Sequence, residues 1–481
     1  MRITDIEIKN FRAFPKNYEM NLSKSGKNLL VYGENGSGKS SLYLALKYFL
    51  ESSADRDSER GKNTEFENHQ NMFAEDPGHI KLSLRADRWS KKDTYEWSQR
   101  VKGETNDELI TEASKSKGFL DYKDLLQVHY LQPEGEAVNV FDLLVKTLLA
   151  NTVNPVTDQT LADAWDDCIK DPYPRSNATN KIATLEQKVG EFNDELVNRL
   201  DELRPKVRDL LGKFGYKVDL DLDFQGVTCN HTNKTLDNQQ ILLNVKFFDK
   251  DVSKQYLLLN EAKLSAIAIS IYLSSILLLP DPKSGLRVLA LDDVLIGLDM
   301  SNRFPVLDIL EEYFRKYQIF LTTYDKAWYE AAKQRLSQKD WKYTEFYFNA
   351  TDEYEIPVCK EDAPYLKKAR EFLDENDYKA SIIYLRTAFE GIIKKFCEKQ
   401  KLSVRYCENP KKLTTEDFWQ PIKTGKKKDG SPFLQNSVIN KIEQYRTCVL
   451  NPLSHAIIVN VYRGEIEEAI KAVEELKAAL A

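Results

Sequence analysis

Eight residues constrain this chain more than any others. Gly33-Glu34-Asn35-Gly36-Ser37-Gly38-Lys39-Ser40 fits G-x-x-x-x-G-K-[ST], and it lies between an apolar run, Leu29 to Tyr32, and a helical pattern from Lys39 towards Leu50. A strand, a glycine-rich turn and a helix in that order place successive backbone N–H groups and a helix N-terminus around one point, which suits a phosphate group. In such a loop Lys39 reaches the terminal phosphates of a nucleotide, and the Ser40 hydroxyl can ligate Mg²⁺.

A second chemical signal lies far downstream. The apolar run Val288-Leu289-Ala290-Leu291 ends in Asp292-Asp293, so a buried parallel strand would deliver two carboxylates to the sheet edge beside the phosphate loop. Asp292 is placed to help hold Mg²⁺ through water. Asp293 stands where a general base for water attack would be, the plainer alternative being a supporting charge.

The rest of the pattern is an α/β head on both sides of a helical segment. Ile3, Ile6 and Ile8 alternate as in a strand, and strands resume at His79–Leu84, Thr94–Val101, Val218–Phe224 and Ile241–Phe248. Between Asn180 and Phe214 apolar residues recur at helical spacing among charges, predicting a short helical or coiled-coil protrusion broken at Pro205. At about 1.5 Å per residue it extends no more than about 50 Å. From Pro364 onward the pattern is helical: Tyr365–Leu373, Tyr378–Lys399, Val438–Leu450 and Ile466–Leu480. The expected domains are therefore residues 1–150 and 215–355 as two lobes of the head, 151–214 as an inserted helical segment, and 356–481 as an all-α domain.

Composition narrows the partners. With 69 Lys and Arg against 75 Asp and Glu the net charge is −6, so any nucleic-acid contact must be local. Six scattered cysteines without CxxC spacing indicate neither a disulfide framework nor a zinc site, as expected in a reducing cytoplasm. MRITDIEIKNFRAF alternates as a strand, and the apolar run Ala266–Leu279 is interrupted by Ser and too short to span a bilayer, so no targeting or membrane segment is expected.

The segments IKNFRAF, GENGSGKSS, LNEAKLSAIAISIYL, LALDDVLIGLD and IFLTTYD together resemble the ABC-type ATPase heads of SMC and RecF proteins and of many prokaryotic anti-phage defence ATPases, over roughly residues 1–350. The resemblance implies ATP and Mg²⁺ as cofactors, with Arg12, Asn35, Gly36, Gly38, Lys39, Ser40, Ser41 and Asp292 around the nucleotide and Ser40 and Asp292 at the metal. It makes Asn260 the signature residue, Asp299 the D-loop carboxylate and Gln132 the Q-loop residue, with Gln127 an alternative in LQVHYLQPEG. A nucleotide site completed by a second subunit implies a homodimer or higher oligomer through the heads. The chain departs from the family pattern in lacking the signature glycines, in carrying Asp293 where Glu is usual, and in placing Tyr324 at the position of the switch His. A shorter carboxylate displaces the base by a methylene, and about 1 Å of misplacement can cost about 100-fold in rate, so slow turnover is expected.

In the C-terminal domain Arg386, Glu390 and Lys394 share one helix face in YLRTAFEGIIKKFCEK, which is first of all an i,i+4 salt-bridge ladder. Arg386-x-x-x-Glu390 with a distant His455 in YRTCVLNPLSH also resembles the HEPN nucleases, in particular the C-terminal domain of the PrrC and RloC anticodon nucleases. Arg446 and His455 are nine positions apart, so the common close Arg–His spacing of that family is absent. The resemblance implies metal-independent RNA cleavage, His455 moving the proton, Arg386 stabilising the phosphorane and Glu390 orienting them. Eleven Lys and Arg against four acids between Lys394 and Lys428, with Tyr406 and Phe418 among them, could hold an RNA backbone or form a solvated loop. Two functional expectations follow: ATP-bound heads that gate an intrinsic ribonuclease acting on tRNA, or a Septu- or PARIS-like scaffold that holds a separate nuclease against a phage trigger. A RecF-like repair clamp fits less well, because the chain is acidic and the helical domain would have no role in it.

Overall fold

The computed structural model describes residues 1–52, 65–74, 76–99, 107–129, 138–175, 177–248, 250–252, 259–350, 355–361, 365–405, 413–427, 429–450 and 462–480. Two compact units divide between Glu361 and Asp362.

The first unit is organised by a six-stranded sheet in the order β16-β15-β3-β14-β13-β6. Its strands are β3 (Asn28–Gly33), β6 (Gly118–Asp121), β13 (Val288–Asp292), β14 (Gln318–Thr323), β15 (Trp341–Ala350) and β16 (Glu355–Glu361). β15, β3, β14, β13 and β6 run parallel, and only the edge strand β16 is antiparallel. Such a sheet is covered on both faces, which explains why its strands read as continuous apolar runs. Alternate residues serve different cores: Leu30, Leu289, Leu291, Ile319 and Leu321 point to one, and Leu29, Val31, Ala290 and Phe320 to the other.

The second of these cores is closed by α1 (Lys39–Glu51), α2 (Glu108–Lys115) and an antiparallel sheet ordered β2-β1-β4-β5. Its strands are β1 (Arg2–Phe11), β2 (Phe14–Asn21), β4 (His79–Arg85) and β5 (Asp93–Ser98). The first core is covered by α5 (Leu161–Ile169), α6 (Thr179–Gly212), α7 (Glu261–Ile276), α8 (Met300–Tyr313) and α9 (Lys326–Arg335), with α3 (Tyr122–His129) and α4 (Phe141–Leu143) beside them. A smaller antiparallel sheet of β7 (Val138–Asn139), β8 (Val218–Asp223), β11 (Leu242–Phe247) and β12 (Lys250–Val252), and a hairpin of β9 (Thr228–Asn230) and β10 (Thr235–Asp237), complete this unit.

Two sequence expectations are corrected here. The helix does not break at Pro205: α6 runs 34 residues through it. Pro205 lies on the exposed face, where water can satisfy the carbonyl it leaves without a donor, while Leu200, Leu203, Val207 and Leu210 are fully buried on the other. Nor does the helical segment between Asn180 and Phe214 stand clear as a protrusion over its length, because from Val189 onward it belongs, with α5, to the same core as the central sheet. Helical spacing among charges marked an amphipathic helix correctly, but spacing alone does not say whether the apolar stripe meets a second copy or its own sheet.

α7 is buried on every side, from Ala262 to Ile276 almost without a break. Its Ser270 and Ser275 hydroxyls donate to the carbonyls of Ala266 and Ile271, which satisfies these two groups in the interior. Among the described residues no helix is long and apolar enough to cross a membrane.

The second unit contains α10 (Tyr365–Asp374), α11 (Tyr378–Gln400), α12 (Thr415–Thr424), α13 (Asn436–Tyr445) and α14 (Arg463–Ala479), with a wide helical turn at Arg446–Leu450. They enclose a core that includes Leu385, Phe389, Ile393, Trp419, Ile470 and Val473. α12 was not expected from the sequence, since a lysine-rich stretch with Pro421 hides the two buried residues Trp419 and Ile422 and the Thr414–Asp417 capping box that start it.

Candidate functional site

The phosphate-loop sequence folds as a tight turn between β3 and α1. Gly36 and Gly38 have φ of 84° and 98°, a region L side chains rarely adopt. At Gly33 a Cβ would come within 2.3 Å of Ser37 Oγ, so the close approach of the loop to its own start also demands glycine.

Lys39 is 4% exposed. Its ammonium donates to Gly33 O at 2.8 Å and Glu34 O at 3.1 Å and lies 3.3 Å from Asp293 Oδ2, so all three of its protons face acceptors. Asp292 ends β13, where Thr322 Oγ1 on β14 donates to its Oδ1 at 2.6 Å and the Ser40 side chain also bonds to it. Asp293 follows with φ 52°, a left-handed turn that brings its carboxylate back to Lys39. Its backbone N–H donates to the same Thr322 Oγ1 at 3.2 Å. Burial pushes the carboxyls of both Asp292 and Asp293 above the ordinary range; for Asp292 the bonds from Ser40 and Thr322 oppose it, and for Asp293 the nearby Lys39 does.

Two buried polar atoms here, Ser37 Oγ and Asp293 Oδ1, have no hydrogen-bond partner among the described residues. A cradle too tight for a Cβ, a buried ammonium and two orphaned polar atoms fit a polyphosphate and its cation. The donors and acceptors that remain would be met by phosphate oxygens and by water on the metal. Thus Lys39 and Ser40 meet Asp292 and Asp293, which follow them more than 250 residues later in the sequence. Thr322, which orders both aspartates, escaped the sequence reading; its place at the end of the strand neighbouring β13, in the run IFLTTYD, was the available signal.

The remaining expected residues fall elsewhere. Asn35 and Gly36 are exposed within the loop itself. Arg12 is exposed at the β1–β2 turn with φ 46°, its guanidinium 6.0 Å above the Tyr48 ring of α1. The neighbouring Ala13 N–H donates to Ser41 Oγ at 3.3 Å, which ties that turn to the phosphate-loop helix.

Asn260 and Asp299 are exposed N-caps of α7 and α8, accepting from Lys263 N at 3.1 Å and Asn302 N at 3.2 Å. Tyr216 links them, since Lys263 lies 5.7 Å above its ring and Asp299 acts electrostatically on its hydroxyl. They form a second cluster: among the described residues neither bonds to Lys39, Ser40 or Asp292. The turn between β13 and α8 is itself held by Arg303, whose Nε donates to Leu295 O and Leu298 O and whose Nη1 pairs with Asp325 at 2.5 Å. Gln132 lies outside the described residues, as does the side chain of Gln127.

In the second unit Arg386 Nε pairs with Glu390 Oε1 at 3.1 Å, and Glu390 also receives Thr415 Oγ1 at 2.8 Å and faces Lys394 at 3.8 Å. Those bonds hold the Glu390 carboxyl below its ordinary range although burial opposes them. Arg446, largely buried, pairs with Glu416 at 2.6 Å and Glu443 at 3.3 Å and lies 5.9 Å from the Phe389 ring. Lys423 bridges the same two glutamates, so this member of the basic stretch is an internal ion-pair partner. His455 lies outside the described residues.

The model of the RecF/RecN/SMC N terminal domain family matches residues 2–341. Among solved structures, the chain is similar to an SMC head bound to the C-winged helix domain of ScpA, at 12% identity and TM-score 0.43, covering 76% of this chain and 100% of that one. It is also similar to the SMC head domain from Thermotoga maritima, at 12% identity and TM-score 0.36 over 75% of this chain and 100% of that one. A structure of the recombination mediator protein RecF with ATPrS has 15% identity and TM-score 0.41, over 74% of this chain and 98% of that one. No curated protein matches.

Proposed function

Because the chain belongs to the RecF/RecN/SMC N-terminal domain family, and so carries an ABC-type ATPase head, we propose that it is a slow ATPase of prokaryotic anti-phage defence whose paired heads gate a C-terminal ribonuclease. The observation that carries the ATPase part is the convergence of Lys39, Ser40, Asp292 and Asp293 around an orphaned Ser37 hydroxyl.

In this reading the backbone N–H groups of residues 36–40 and the Lys39 ammonium bind the β- and γ-phosphates. Ser40 and Asp292 would hold Mg²⁺, which when bound would supply charge neutralisation on the phosphates. Asp293 takes the proton of the attacking water. Its ion pair with Lys39 must open first, which together with its short side chain favours slow turnover and a long-lived ATP state. Asn260 and Asp299 would face the nucleotide of a second copy of the chain.

The ribonuclease part rests on Arg386 and Glu390 being paired on one helix face, with His455 as the proton carrier. A second reading, a scaffold that holds a separate nuclease, is favoured by the saturation of Glu390 by Arg386, Lys394 and Thr415. A carboxylate so engaged suits a docking surface as well as an active site.

The deciding experiment incubates purified full-length protein with total tRNA, with and without ATP, alongside Lys39→Ala and His455→Ala. Nucleotide-dependent cleavage lost in both variants supports the gated ribonuclease. ATP binding without any cleavage by the wild type removes the intrinsic nuclease and leaves the scaffold.

A further inference from the structure

One stripe of α1, made of Ser40, Tyr43, Lys47 and Glu51, faces the edge formed by β13 and β6. Ser40 bonds to Asp292, the Tyr43 ring meets the Phe119 ring edge-on at 5.4 Å, and Glu51 pairs with Lys117 at 3.5 Å. β6 runs parallel to β13 with Asp121 directly in register with Asp292. Phe119 and Asp121, two residues apart on a strand, project from the same face, the one that Tyr43 covers.

The corner after β6 is stiff: Asp121 Oδ1 accepts from Asp124 N at 2.9 Å, and Asp124 Oδ2 accepts from Asp121 N at 3.0 Å. Tyr272 on α7 adds a bond to Asp124 O at 2.9 Å.

Into this corner points a group with nothing to bond. Tyr43 is 3% exposed, and its hydroxyl has no partner among the described residues. Besides burial, the groups acting on that hydroxyl are Asp124, Asp121, Asp292 and Glu51, in that order. A buried hydroxyl without a partner and a set of carboxylates that repel one another are both relieved by the same occupant, a water carried by a cation.

We propose that Asp121 is a positioning residue for the divalent cation of the nucleotide site. It accepts a hydrogen bond from a water in the cation's hydration shell, and the Tyr43 hydroxyl contacts the same water. Mg²⁺ keeps several waters when it binds protein, and partners of that outer shell govern how firmly it is held. The inference rests on the reading of residues 33–40 as an ATP·Mg²⁺ site.

The test is a titration of Mg²⁺ into full-length protein holding a fluorescent N-methylanthraniloyl ATP, in wild type, Asp121→Asn and Tyr43→Phe. Asn keeps the oxygen that accepts from Asp124 N but loses the charge, so a purely structural role would leave the titration unmoved. The expected result is a Mg²⁺ midpoint about tenfold higher in Asp121→Asn, the size typical of lost outer-shell partners, with nucleotide affinity in EDTA unchanged. Tyr43→Phe should shift the midpoint the same way by a smaller factor. A folded Asp121→Asn with the wild-type midpoint overturns the proposal; if that variant does not fold, an unshifted Tyr43→Phe does so instead. A wild type that binds no nucleotide overturns the ATP·Mg²⁺ reading and this inference with it, whereas Mg²⁺-dependent binding with unshifted variants overturns this inference alone.

Discussion

Lys39 Nζ lies 3.3 Å from Asp293 Oδ2, with the lysine buried and the aspartate mostly so. The phosphate-binding cation and the proposed base therefore neutralise each other until a nucleotide separates them. Removing the two partners should have opposite effects on binding. Lys39→Ala should abolish nucleotide binding in a fluorescence titration, while Asp293→Asn should bind at least as tightly as wild type and turn over about 100-fold more slowly, the lower range for loss of a general base. Equal loss of binding in both would remove Asp293 from the catalytic role.

The raised Asp293 carboxyl gives a pH dependence of definite sign. Its folded pKa is above the ordinary 3.8 because burial disfavours the charge. Its contribution to stability is therefore full below 3.8 and is lost as pH rises through the folded value. Relative to wild type, Asp293→Asn should gain melting temperature at neutral pH and lose that advantage as pH falls towards 3.8. Turnover, which needs the charged form, should fall over the same acidic window in wild type. Melting curves from pH 4 to 8 with both proteins check the sign.

Thr322 serves both aspartates through one hydroxyl, donating to Asp292 and accepting from Asp293 N. Thr322→Val keeps the shape, takes one bond from the Asp292 carboxylate and leaves the Asp293 amide without its acceptor. A loss of about 1–3 kcal/mol in chemical denaturation is expected, together with a lower maximal ATPase rate. A variant as stable and active as wild type would show that the strand-end hydroxyl is incidental.

α6 is part of the head's core, and its faces should differ sharply. Leu203 is fully buried while Val197 is 41% exposed. Leu203→Ala should cost about 2–5 kcal/mol, and Val197→Ala about 0.5 kcal/mol or less. Similar small losses at both positions would restore the idea of a detached helical insertion.

Arg446 joins Glu416 and Glu443 inside the helical unit, and both carboxyls are held below the ordinary 4.5: burial opposes this, but bonds from Arg446 to Glu416 and from Lys423 and Trp419 to Glu443 outweigh it. Carboxylates lowered in this way add stability above 4.5 that is lost as pH falls through their folded values. Arg446→Met should lower the melting temperature at pH 7 and lose less than wild type on acidification below 4.5. Parallel losses in the two proteins would contradict the ion-pair assignment.

The phosphate loop, Asp292 and Asp293 were legible in the sequence because each signal is local. Glycines at fixed spacing, a lysine at a helix start and carboxylates at the end of an apolar strand carry their meaning within a few residues. The strands β1, β3 and β13 and the helices α1, α7 and α11 were legible for the same reason, since period and length identify an element without reference to its neighbours.

What only the tertiary structure decided are relations between segments far apart in the chain. Whether the apolar stripe of α6 faces solvent, a second copy or the central sheet depends on the elements around it. The Asp121–Asp292 register and the hydroxyl that Thr322 aims at both aspartates arise from a parallel strand order that brings β6, β13 and β14 together across 205 residues of chain. Parallel pairing is made through crossovers and leaves no turn motif to mark it. By itself the sequence therefore determined which residues bear the chemistry of the phosphate loop, because that chemistry is written in adjacent residues. Tertiary packing decided which side chains orient it, because distance in space is not encoded in distance along the chain.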